Sequence, residues 1–267
     1  MISAYCDTDD WSPSVIQLIK ESPHLNKLDV HISINCISQD KNKKCNILVL
    51  QESPGVLRFR GIIDFVRNNK DCFKIYNKVY TCIDELVGME NVERIHPSNV
   101  MWVKNPVLLP PKSKLISMIS SNNISLPGHR NRLRILSRVK DFVDIYGRGI
   151  KDIENKDQGL VDYYYSIAVE NDDTDSYFSE KILDCFLTST IPIYWGSSCV
   201  FKKFNYNGII DLKKISNLKD LKNITDSLYK ENIDAVVDNF FIAQKEHQYL
   251  PQTLKKILVK MYYEQNN

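Results

Sequence analysis

The run "DYYYSIAVENDDTDSYFSEKILDCFLTSTIPIYWGSS", residues 162–198, constrains the fold more than any other stretch of the chain. Two apolar runs flank one helical run at the length of a βαβ crossover, which requires two parallel strands with a helix packed across them. Glu170, Asn171 and the acidic loop that follows must then lie at the carboxyl edge of a sheet, where doubly wound folds bind ligands. Ser179 is a good N-cap, so Glu180 and Lys181 open the helix. A lysine in the first turn faces the positive end of the helix dipole, which is the wrong end for it unless something negative is near. A phosphate meeting the lysine, with a carboxylate beside it accepting from ribose hydroxyls, suits a nucleotide diphosphate. Spacing alone also allows a solvated Lys181 and a Glu180 that merely complements the dipole.

The same alternation extends along the chain. In the first half "MISAYC", "KLDVHISIN" and "CNILVLQES" read as strands, the last a continuous apolar run suited to a buried parallel strand. "SPSVIQLIKES" and "VLRFRGIIDFVRNN" have helical spacing, and "KVYTCIDELVG" suggests a strand followed by a helix. "KNPVLLPPKSK", residues 104–114, holds three of the ten prolines and reads as an extended connector. The expected domains are 1–105 and 106–267. In the second, strand "KLISMISS", loop "NNISLPGH", helix "RNRLRILSRVKDF" and strand "VDIYG" precede the crossover, and "LPQTLKKILVKMYYEQ" closes the chain as an amphipathic helix. The fold class is α/β.

Several functions lose support. With 35 basic and 33 acidic residues the net charge is +2, so no global field favours nucleic acid or an anionic membrane. No run approaches the ~20 apolar residues of a membrane span, and "MISAYCDTDDW" lacks the form of a signal peptide. Seven cysteines without C-x-x-C spacing argue against a disulfide framework or a zinc site and for a cytoplasmic setting. G-x-G-x-x-G and the P-loop pattern are both absent, against dinucleotide oxidoreductases and ATPases. Asp172, Asp173 and Asp175 have the chemistry to ligate Mg²⁺ or Mn²⁺, but solvated acidic loops are the commoner case and no metal is assigned. The histidines form no ligand pair, and only His129 falls near the presumed site. Arg130, Arg132 and Arg134 alternate, so a helix splays them; one of them can reach a ligand while the others stay solvated.

Read together, "KLISMISSNN", "GHRNRLRIL", "VDIYGRG", "DYYYSIAVEN", "YFSEKILDCF" and "TIPIYWGSSCVFKKFN" resemble the donor-binding half of the fucosyltransferases of glycosyltransferase family 10, over roughly Lys114 to Leu212. "NILVLQESPG" and "KVYTCIDEL" carry a fainter likeness in the N-terminal half. The resemblance implies a GT-B fold, two Rossmann-like domains with the active site in a cleft between them. It also implies inverting transfer from a nucleotide sugar, GDP-fucose in the family, to a glycan or glycoconjugate hydroxyl, with no cofactor or divalent metal required. The family's E-N, Y and E-K positions fall on Glu170, Asn171, Tyr177, Glu180 and Lys181, with Glu180 expected on the ribose and Lys181 on the diphosphate. The family's phosphate-binding arginine, eleven residues before the valine of its "VDVYG" strand, falls on Arg132, ahead of Arg130.

Inversion also needs a carboxylate to accept the proton of the attacking hydroxyl. The family supplies it from the N-terminal domain, and Glu52, at the end of "NILVLQES", is the residue chosen here. Glu52 can equally cap the turn "SPGV", and Asp84 or Glu85 stand next in line. Tyr194 is read as a core aromatic. Animal members carry a membrane anchor and stem, whereas this chain opens almost directly in a strand and is expected to be of the compact bacterial or viral type. The same fold and mechanism with another donor sugar, or a silent glycan- or nucleotide-binding protein, are the alternatives.

Overall fold

The computed structural model describes residues 3–6, 28–59, 61–96 and 101–266 of the 267. It divides into two compact units, residues 1–100 with 248–267 and residues 101–247. The expected helix in "SPSVIQLIKES" lies outside the described residues.

The first unit holds a parallel sheet in sequential order: β1 (Ser3–Cys6), β2 (Val30–Ile34), β3 (Cys45–Leu50), β4 (Lys78–Thr81) and β5 (Val92–Arg94). Every residue of β2 and β3 is buried, as a sheet covered on both faces demands. The helical run after β3 is broken into α1 (Pro54–Phe59) and α2 (Ile62–Asn68). Gly61 causes the break: its φ of +72° is left-handed and interrupts the helical path. After β4 only a short 3₁₀ turn forms, Asp84–Leu86, where the sequence suggested a helix.

The second unit contains β6 (Lys114–Ile119), α3 (Pro127–Val139), β7 (Asp144–Tyr146), β8 (Tyr163–Val169), α4 (Glu180–Phe186), β9 (Ile191–Trp195), α5 (Val200–Lys203), β10 (Ile210–Asp211) and α6 (Asp226–Glu231). All its strand pairs are parallel, in the order β10-β9-β8-β6-β7. Side chains of β8 alternate between two cores. Tyr165, Ile167 and Val169 pack with Ile135 and Val139 of α3, while Ala168 packs with Ile182, Leu183 and Phe186 of α4. Helices therefore cover both faces of the sheet. α3 starts earlier than "RNRLRILSRVKDF" suggests because Pro127 occupies its first turn, where a missing N–H costs nothing.

Strand order fixes where a ligand can go. From β6 the chain steps outward to β7, then returns past β6 to β8 and proceeds the other way. The carboxyl ends of β6 and β8 thus flank a switch point, where the connections that follow diverge to opposite faces and leave a crevice.

A final helix, α7 (Ile233–Asn266), extends the amphipathic segment expected at the C-terminus back by many residues. Its last part does not belong with residues 106–247, as the expected boundaries had it. Leu250, Leu254 and Leu258 are buried in the core beneath β2 and β3, together with Val30, Ile32, Ile47 and Val49. Apolar residues at that spacing line one helix face, and the first unit is where that face is buried.

Candidate active site

Six of the seven expected site residues fall in the second unit, and five gather at the switch point. Glu170 follows directly from β8, its N–H bonded to the carbonyl of Trp195 at 2.9 Å, and it is fully buried. Its carboxylate accepts from the Ser179 N–H at 2.9 Å and from the Ser179 hydroxyl at 2.6 Å. Ser179 in turn caps α4 by accepting from the Lys181 N–H at 3.4 Å. The Ser179 and Lys181 amides at this helix start, which could otherwise meet a phosphate, are therefore engaged by protein groups. Cationic side chains remain for that purpose.

The Lys181 ammonium folds back over the helix start. It donates to Ser179 Oγ at 2.9 Å and lies 3.4 Å from Glu170 Oε2 and 3.5 Å from Glu180 Oε1. Its side chain is 20% exposed, so it can be reached from solvent. Burial alone would push Glu180 up; Lys181 and Lys156 overcome that and hold it down at about 2. Glu180 is thus an anion at any physiological pH, able only to accept hydrogen bonds.

Arg132 comes from α3 and is buried, whereas Arg130 and Arg134 on the same helix are exposed. Its guanidinium donates to Asn171 Oδ1 at 3.5 Å and to Ser121 Oγ at 3.2 Å, both long contacts. It forms no ion pair among the described residues, and its buried Nε has no hydrogen-bond partner. Burial pulls its pKa down while Glu170, Glu180 and Tyr177 push it up, so it sits within their field. Tyr177 is buried, with its N–H on the Thr174 carbonyl at 3.1 Å.

Two glycines let these groups meet. A Cβ on Gly128 would stand 2.3 Å from the carbonyl oxygen of Asn171, and one on Gly196 would meet the Tyr194 hydroxyl at 2.3 Å and Glu170 Cγ at 2.7 Å. The start of α3 therefore rests on the Glu170–Asn171 backbone itself. His129 in that first turn is buried, and its Nδ1 accepts from the Leu126 N–H at 3.4 Å. Burial first, then Arg132 and Lys181, lower its pKa to about 4. Tyr194 is fully buried in the core, as read from the sequence, and burial lifts its phenol well above the ordinary value.

Glu52 lies in the first unit, half-buried just beyond β3. Asn35, at φ +54° beyond β2, accepts from the N–H groups of Gln51 at 2.8 Å and Glu52 at 3.1 Å. Glu52 Oε2 accepts from the Ser53 N–H at 3.1 Å, the turn-capping contact anticipated as its other role. Asp84 pairs with Arg94 at 2.7 Å and Glu85 with Arg67 at 2.7 Å, so both alternatives are engaged in surface ion pairs.

The acidic loop is divided among separate partners. Asp172 accepts from the Thr174 N–H at 3.0 Å, Asp173 pairs with Lys213 at 3.1 Å, and Asp175 accepts from Ser198 at 3.4 Å. Sequence reasoning missed Lys156, whose ammonium lies 2.6 Å from Asp184 Oδ2 and 3.5 Å from Glu180 Oε1. One signal was present: Glu180 and Asp184 stand four apart on one helix face, and two buried like charges at that spacing require a cation.

Two units, each built on a parallel sheet, with a charged cluster at the switch point of the second, define an α/β protein of the GT-B fold class. A crystal structure of an alpha1,3-fucosyltransferase has this fold, with TM-score 0.54 and 18% identity over 90% of this chain and 80% of that one. The same holds for an alpha1,3-fucosyltransferase crystallised with GDP-fucose, at TM-score 0.52, 16% identity, 90% of this chain and 81% of that one. Residues 109–262 match the C-terminal region of glycosyltransferase family 10 (fucosyltransferase), and the chain belongs to that family. An alpha-(1,3)-fucosyltransferase of Helicobacter pylori is 35% identical over 139 residues, 50% of this chain. The match spans only 27% of the Helicobacter pylori protein. Among the described residues no helix is long and apolar enough to cross a membrane.

Proposed function

We propose that this chain is an inverting glycosyltransferase that moves fucose from GDP-fucose to a hydroxyl of a glycan acceptor, in a cytoplasmic setting. The carrying observation is Arg132: a buried guanidinium at the switch point, without an ion pair among the described residues and with only long contacts to neutral partners. Burying such a group is costly unless a charged partner completes it, and a pyrophosphate offers the planar, multidentate match that Arg prefers. Lys181, partly exposed and 3.4 Å from Glu170, supplies a second cation. Glu180, held ionised, suits the ribose hydroxyls.

In this reading Arg132 and Lys181 stabilise the charge that gathers on GDP as the bond from the fucose anomeric carbon to the β-phosphate oxygen breaks. The acceptor oxygen forms its bond on the opposite face of the sugar, and its proton passes to the carboxylate of Glu52. The same cations take the role that a divalent ion has in other transferases, so no metal is part of the proposal. The family, the fold relative crystallised with GDP-fucose and the cation pair all support this donor.

A donor screen followed by product mass, with simple sugar acceptors, tests the reading. Transfer from GDP-fucose, undiminished by EDTA, is expected. Transfer only from another nucleotide sugar would overturn the donor assignment, and loss with EDTA restored by Mn²⁺ would turn attention to Asp172 and Asp173.

A further inference from the structure

Lys156 has no part in the chemistry above, yet it occupies a position that chemistry depends on. It opens a 3₁₀ turn, Lys156–Gly159, that is fixed at several points. Asp157 accepts from the Lys104 and Asn105 N–H groups at 2.8 and 3.1 Å, and the Gly159 carbonyl accepts from Ser117 Oγ of β6 at 2.6 Å. From this turn the Lys156 ammonium reaches both carboxylates on the buried face of α4, Asp184 Oδ2 at 2.6 Å and Glu180 Oε1 at 3.5 Å. The other oxygen of Asp184 accepts from the N–H groups of Trp102 and Val103, at 3.2 and 3.4 Å.

The charges facing Glu180 come from four elements. Lys181 and Asp184 share its helix, Lys156 lies on the 3₁₀ turn, Arg132 acts from α3, and Glu170 at the end of β8 shares Lys181 with it. Without Lys156, two buried carboxylates one turn apart would depend on Lys181, which Glu170 already claims. A group in that position relieves repulsion by taking up a proton. A protonated Glu180 would lose an acceptor and gain a donor, wrong for a hydroxyl that has to donate to it.

We infer that Lys156 is a positioning residue for the nucleotide: by bridging Asp184 and Glu180 it keeps Glu180 ionised and aimed to accept from the ribose hydroxyls of the donor. This rests on the donor reading for its ribose part and on the charge geometry alone for the rest. Lys156→Met is predicted to raise the Glu180 titration from its depressed position at about 2, with Asp184, already pushed up by burial, competing for the same proton. The substitution should weaken GDP binding little at pH 8 and increasingly as pH falls toward 5, by roughly tenfold at the acid end, because each pH unit below the raised Glu180 titration removes about a decade of the ionised form. Lys156→Arg, which keeps the cation, should restore much of the affinity. Adding Asp184→Asn to Lys156→Met should restore part of it by removing the repulsion, since the asparagine oxygen can still accept from Trp102 and Val103.

The decisive experiment combines carbon-detected NMR titration of the Glu180 carboxyl in the ligand-free protein with GDP calorimetry from pH 5 to 8, on wild type and the three variants. A raised Glu180 titration in Lys156→Met, together with a pH-dependent loss of GDP affinity that Asp184→Asn relieves, is the expected result. An unmoved Glu180 titration, or an affinity loss independent of pH and unrelieved by Asp184→Asn, would overturn the inference. Should wild type bind no GDP while Glu180 still titrates as expected, the donor reading and the ribose part of the inference would both fall.

Discussion

Lys181 poses the sharpest question at the scale of single residues, because a cation in the first turn of a helix opposes the dipole. The structure gives it two carboxylate neighbours, Glu170 and Glu180, which explains its retention in the fold before any ligand is considered. Its proposed second role predicts that Lys181→Ala weakens GDP binding and lowers kcat/KM by roughly 10²-fold, as loss of a charged transition-state contact does. Glu52→Gln should instead abolish transfer while leaving GDP affinity nearly intact. Calorimetry beside steady-state kinetics distinguishes the two, and an active Glu52→Gln enzyme would assign the base elsewhere. His129 makes a prediction about pH. The folded chain holds it neutral down to about 4, while the unfolded chain takes up its proton near 6.5, so acid favours unfolding across that interval. Stability should fall by on the order of 3 kcal/mol between those values. Thermal melts should show this slope in the wild type and a flattened one in His129→Gln; equal slopes would contradict it. Glu180 adds a similar acid-side loss from 4.5 down to about 2.

At the scale of elements, the parts most legible in the sequence were those where one signal decided the outcome. The all-apolar run of β3, the apolar β8 and the N-cap at Ser179 each named their element directly. Gly61 was legible as a residue but not as a break, since a glycine inside an apolar helical pattern is often tolerated. The choice of Arg132 over its neighbours came from spacing within a family pattern; its burial beside Asn171, with Arg130 and Arg134 exposed, is a fact of how α3 packs. Gly128 shows what sequence could not disclose, because its need arises from a backbone contact with Asn171 across the switch point. Gly128→Ala should force α3 away from that backbone, costing about 1–3 kcal/mol as overpacking does. It should weaken GDP binding through the displaced Arg132. A variant with unchanged melting temperature and GDP affinity would mean that the contact yields freely.

At the scale of the whole molecule, the alternation of strands and helices gave the class and the number of units. The connector at residues 104–114 lies close to the observed division at residues 100 and 101. The return of the last helix to the first unit was not legible: a period of 3.6 shows that a face is apolar but not which core receives it. Leu250, Leu254 and Leu258 settle that by their burial at 2%, 0% and 0% exposure. Truncation after His247 should therefore destabilise the first unit by about 1.5–3 kcal/mol for each leucine removed. Limited proteolysis should then cut within residues 28–96 well before residues 101–247. Equal resistance of both units would contradict this packing.

The account as a whole stands on a pyrophosphate held by Arg132 and Lys181 between the carboxyl ends of β6 and β8. A crystal structure with GDP tests that most directly. The account predicts phosphate oxygens within hydrogen-bond reach of both side chains and ribose hydroxyls on Glu180; GDP bound in order elsewhere, with Arg132 still touching only Asn171 and Ser121, would contradict it.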